Sequence, residues 1–132
     1  MTPRHLVRTI AADAVVVRRP QAAALTPSAS GVVSTARTLL GLPYLWGGRS
    51  GFAVDCSGLT QLVFKLRGVN LPRDAGDQAT YGRSVGIGSA RAGDLIFFDR
   101  PIAHVGIVAT PGRMLHSPQT GSIVKEAPIS SV

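Results

Sequence analysis

A single cysteine in 132 residues excludes an intrachain disulfide, so oxidative stapling plays no part in how this chain folds. Acidic residues are also scarce, 7 against 14 Lys+Arg, and the net charge of +7 suits an anionic partner such as nucleic acid, a membrane surface or an anionic cell wall. Aromatics make up only 5% of the chain and do not interleave with the arginines. Charge alone therefore speaks for nucleic acid, and none is expected. No apolar run approaches the ~18 residues that span a bilayer, which excludes a membrane helix. No signal peptide is visible either, because Arg4, Arg8, Asp13, Arg18 and Arg19 interrupt every apolar run before an h-region can form. What remains is a soluble domain large enough to bury a real core.

The one cysteine stands in Asp55-Cys56-Ser57-Gly58-Leu59-Thr60. Leu59, Leu62, Val63 and Leu66 follow at i, i+3, i+4 and i+7, which predicts a helix beginning close to Cys56, with Asp55 a good cap and Gly68 a good stop. A thiol in a first helical turn meets unpaired N–H groups and the positive end of the macrodipole, which favour thiolate and nucleophilicity. A lone cysteine is as often a small buried residue, so its chemistry depends on a base nearby.

Residues 1–29 carry Pro3, Pro20, Pro27 and several arginines without a sustained period, and read as a basic N-terminal arm or linker outside the core, with a short strand possible at Ala14 to Val17. Such an arm could cover the cleft as a lid or hold the protein on an anionic wall. A helix from Ser28 or Ser30 to Leu40 then leads into Pro43-Tyr44-Leu45-Trp46-Gly47-Gly48, a shaped loop. From Asp94 the period changes. The runs 94–99, 104–109, 113–116 and 122–125 are short, apolar or alternating, and separated by turn residues, which predicts an antiparallel meander and an α+β domain over 30–132.

Of three histidines, His5 lies in the arm, His104 opens one strand and His116 closes the next. A hairpin around Pro111-Gly112 puts those two at the same end of neighbouring strands, ~5 Å apart. One imidazole could take the thiol proton while the other sets its tautomer.

These motifs, in the order Tyr44-Leu45-Trp46-Gly47-Gly48, Asp55-Cys56-Ser57-Gly58, Leu71-Pro72-Arg73 with Gln78, Gly93-Asp94-Leu95-Ile96-Phe97-Phe98, His104-Val105-Gly106 and Leu115-His116, resemble the NlpC/P60 family of cell-wall cysteine peptidases over residues 31–126. The resemblance implies a papain-like α+β fold, with Cys56 as nucleophile, His104 as base and His116 as orienting residue. It also implies that Tyr44 is the family's active-site tyrosine, and that Asp55 and Ser57 lie against substrate. The implied reaction is hydrolysis of the D-γ-glutamyl to diaminopimelate bond in peptidoglycan stem peptides, by a monomer, secreted or in the wall, without metal or cofactor. Three other readings compete: a zinc hydrolase using Cys56, His104 and His116 as ligands, a non-catalytic wall-binding module, and the same fold performing acyl transfer or another amidase reaction.

Overall fold

The computed structural model describes residues 14–20 and 28–131. Strand β1 (Ala14–Arg19) precedes helix α1 (Ala29–Arg37), helix α2 (Cys56–Leu66) and the single turn α3 (Ala75–Gln78). Strands β2 (Arg83–Ser84), β3 (Leu95–Phe98), β4 (His104–Thr110), β5 (Arg113–His116) and β6 (Lys125–Pro128) follow. All pairings are antiparallel, in the order β2-β1-β3-β4-β5-β6. The α+β expectation is met, with helices segregated to one face of the sheet.

Both faces of the sheet are covered, which is why its strands read as nearly continuous apolar runs. Leu95, Phe97, Val105, Ile107 and Leu115 face α1 and α2, while Ile96, Phe98, Val108 and Met114 form a second core with Val17 and Ile129. Helix α1 starts where Ser28 Oγ accepts the Gly31 N–H at 3.1 Å, and buries Val32, Val33 and Ala36.

Helix α2 is capped at both ends as the sequence predicts. Asp55 Oδ1 accepts the Gly58 N–H at 2.6 Å. At the other end, Gly68 at φ 88° lets its N–H reach Lys65 O and that of buried Val69 reach Phe64 O, a Schellman closure. The buried stripe is rotated from the predicted one. Leu66 is 60% exposed, and Phe64, at 1%, takes its place beside Leu59 and Val63.

Two other expectations are corrected. Residues 14–19 are not an arm: β1 lies between β2 and β3, with Val17 opposite Ile96 and almost wholly buried. Its arginines are committed to the domain. Arg19 grips Asp94 with two bonds of 2.7 and 2.9 Å, and Arg18 Nε donates to Ala79 O at 2.6 Å. The rest of the expected arm, with His5, Arg4 and Arg8, lies outside the described residues. The last strand is also displaced. It begins at Lys125, opposite His116, while Val124 instead exchanges bonds with Gly41 and Leu42. Val124 is buried, and its partner is the loop before Tyr44.

Candidate active site

Four elements meet at the N-terminus of α2. The loop from Tyr44 to Gly48 runs beside it, and the Asp55 N–H donates to Gly48 O at 2.9 Å. A Cβ at Gly58 would overlap Gly48 O, so only glycine lets the first turn of α2 press against this loop. Ser117, just past β5, donates from Oγ to Val54 O at 2.8 Å, which ties the strand end carrying His116 to the residues before Cys56. From β4, the Val105 N–H reaches the Cys56 sulfur, so the thiol lies against the strand that His104 opens.

The two histidines are in direct contact, His104 Nε2 to His116 Nδ1 at 2.8 Å, with their rings edge to face. Gly106, two residues along β4 from His104, lies against His116. A Cβ there would lie 2.7 Å from Met114 Sδ and 3.4 Å from His116 Cβ, so the glycine makes room for the pair. With those nitrogens turned on each other, the imidazoles do not converge on a common metal with Cys56. Among the described residues, no group of three His, Cys, Asp or Glu side chains is placed to hold an ion.

The electrostatics correct one expectation. Burial pushes the Cys56 thiol above its usual range and Asp55 adds to this, outweighing the N–H groups of Val105, Ser57 and Cys56 itself that pull it down. Position at the helix start thus does not make a resting thiolate, because desolvation wins. Burial also lowers His104, against an upward pull from Asp99. It lowers His116 further, to about 4, with help from His104 and Lys125. At neutral pH these shifts leave the thiol and both imidazoles uncharged. If His104 is to accept a proton on Nδ1, its Nε2 must carry hydrogen and donate to His116 Nδ1, which leaves the His116 proton on Nε2. That nitrogen is buried without a hydrogen-bond partner among the described residues.

A cleft of about 550 Å³ opens over Cys56, bordered by Tyr44, Trp46, Asp55, Ser57 and Arg73. Tyr44 is half-buried, and burial with the nearby Cys56 and Asp55 raises its phenol, which stays a donor. Asp55 and Ser57 border the cleft as expected, yet their polar atoms are largely taken. Asp55 receives Arg73 at 2.7 and 3.1 Å besides Gly58 and Gly47, and Arg73 also donates to Ser57 Oγ at 2.7 Å. Burial raises the Asp55 carboxyl, but Arg73 and the two N–H groups outweigh it and hold it below the usual range.

Sequence reasoning placed Arg73 and Gln78 in the motif without assigning them a role. Gln78, fully buried, donates to Ser57 O and Pro72 O and accepts from Thr60, so it fixes Arg73 against the first turn of α2. A charged residue directly after Leu71-Pro72 was the available signal.

An α+β domain in which a helix-opening thiol lies against the strand that one of two paired histidines opens has a papain-like fold. The chain belongs to the NlpC/P60 family, whose model matches residues 41–132. It is 48% identical over 103 residues to a γ-D-glutamyl-L-lysine dipeptidyl-peptidase of Bacillus subtilis, covering 74% of this chain and 35% of that protein. Among solved structures, an NlpC/P60 family protein from Bacillus cereus superposes with a TM-score of 0.75 at 39% identity, over 78% of this chain and 35% of that one. The NlpC/p60 domain of the peptidoglycan hydrolase SagA does so with a TM-score of 0.75 at 32% identity, over 79% and 92%. The chain spans about a third of the length of the first two curated relatives it matches.

Proposed function

We propose that this domain is a cysteine peptidase that hydrolyses the D-γ-glutamyl to diaminopimelate bond of peptidoglycan stem peptides. The observation that carries the mechanism is the 2.8 Å contact between His104 Nε2 and His116 Nδ1, which occupies the far nitrogen of His104 and leaves Nδ1 for the thiol proton. In this reading Cys56 gives its proton to His104 as Sγ attacks the γ-carbonyl carbon. The imidazolium so formed is supported by His116 Nδ1 and the Asp99 charge. The Cys56 backbone N–H, at the helix start, faces the developing oxyanion. His104 then hands the proton to the leaving amine, and afterwards draws one from the water that cleaves the thioester. Tyr44, Asp55 and Ser57 border the acyl half of the substrate. Asp55 and Ser57 act mainly by holding Arg73, whose remaining N–H groups are donors toward the cleft. The basic surface suits an extracellular wall rich in carboxylate and phosphate.

The test is product analysis by mass spectrometry on purified muropeptides. Release of L-Ala-γ-D-Glu is expected, and Cys56→Ala should reduce the rate by at least about 10³-fold with the fold intact. Turnover by a folded Cys56→Ala protein at the wild-type rate would end the thiol mechanism, and a product cut at any other bond would end the assigned specificity.

A further inference from the structure

A second cavity, of about 450 Å³, borders the histidine pair, lined by His104, His116, Gln119, Ser122 and Lys125, and it shares Ala103 with the lining of the Cys56 cleft. The chemistry divides a substrate between these two spaces. The acyl carbon bonds to Sγ, so the acyl half lies where Cys56 lines the wall. The leaving amine takes its proton from His104, so the leaving half lies in the cavity that His104 borders. No acidic residue lines that cavity.

Its cation is uncommitted. Lys125 is exposed, stands directly opposite His116 in the β5–β6 register, and makes no ion pair among the described residues. Its neighbour Glu126 faces the other way, as alternation along a strand requires, and its two oxygens are taken by Arg37 at 3.1 Å and Arg113 at 3.1 Å. The Lys125 field already reaches the His116 ring. A cavity with a free ammonium, amide and hydroxyl donors and no carboxylate of its own is built for an anionic group.

We propose that Lys125 is a specificity residue which binds the side-chain carboxylate of the leaving diamino acid, so that the domain favours diaminopimelate, whose distal carbon carries a carboxylate beside its ammonium, over lysine, whose ammonium has no carboxylate to offset its repulsion by Lys125. This rests on the thiol-peptidase reading above.

The experiment measures kcat/KM on L-Ala-γ-D-Glu-meso-diaminopimelate and L-Ala-γ-D-Glu-L-lysine, each with its α-carboxyl free or amidated. Lys125→Gln should reduce the diaminopimelate preference about five- to ten-fold. Lys125→Glu should reverse it, raising the rate on the lysine peptide, and Lys125→Arg should restore it. The preference should persist when the α-carboxyl is amidated. A ratio unchanged in active Lys125→Gln and Lys125→Glu proteins overturns the proposal, as does a loss that follows the α-carboxyl. If the wild-type chain cuts neither peptide, the peptidase reading falls, and this proposal with it.

Discussion

The two walls of the cleft are built on opposite terms. The groups flanking Cys56 in the chain are tied to internal partners: Asp55 takes four bonds, Ser57 is held by Arg73, and Gln78 locks the layer beneath. Around His104, the groups beyond the single histidine contact are left open, with His116 Nε2 buried and unpaired and Lys125 without a counter-ion among the described residues. The nucleophile's wall is set rigidly in advance. The base's wall keeps one exposed donor, Lys125, for what arrives. Precision is needed where a bond forms, and spare hydrogen-bonding capacity is needed where groups must be recognised and released.

Breaking the saturated wall should have the larger effect. Arg73→Met removes both Asp55 bonds and the Ser57 bond, and leaves a half-buried carboxylate beside the nucleophile. A carboxylate that loses its ion pair and keeps only the Gly47 and Gly58 N–H groups costs about 1–3 kcal/mol of stability, and a misplaced first turn should lower kcat/KM about 100-fold. Denaturant unfolding and stem-peptide kinetics check both numbers. Wild-type stability would mean that the network is decorative.

On the open wall, His116→Ala should cost about ten- to 100-fold in kcat, because an orienting residue sets tautomer and ring position without taking the proton. His116→Asn should recover part of that loss, since its amide can still meet His104 Nε2. An alanine variant as fast as wild type would move the orienting role elsewhere.

The smallest effect lies in pH. His116 titrates at about 4 in the fold, below the ordinary histidine value of 6.5, so between those two values the unfolded chain binds more protons than the folded one. Stability should therefore be fully present above pH 6.5 and fall as the pH drops toward 4. Thermal unfolding of wild type and His116→Asn across that window should differ, with the variant showing the shallower slope. Parallel curves would assign the acid loss to other groups, among them His104, which burial also lowers from the ordinary histidine value.

Local signals account for most of what was legible in advance. The cap, stop and start of α2, the β4–β5 hairpin and the approach of His104 to His116 each depend on residues close in sequence or joined by one turn. What escaped depended on distant partners. Val15, Val16 and Val17 are good strand formers, but their place beside β3 is set by residues near position 96, and nothing local distinguishes a core strand from a stretch of arm. The swap of Leu66 for Phe64 follows from where the sheet lies, which periodicity alone does not locate. The thiol shows the same limit: the helix end was readable, whereas the burial that raises it is a property of the packed domain.

The place of β1 carries a consequence for how the molecule assembles. This strand leaves the ribosome well before β3, its neighbour in the sheet, yet it must end between β2 and β3. Closing so long a loop delays productive pairing until most of the chain is available. In the meantime a run of three valines stays open to wrong partners, in this chain or another copy. The helices and the β3–β4–β5 meander can form early from near neighbours, and the sheet is completed only when its earliest strand is seated.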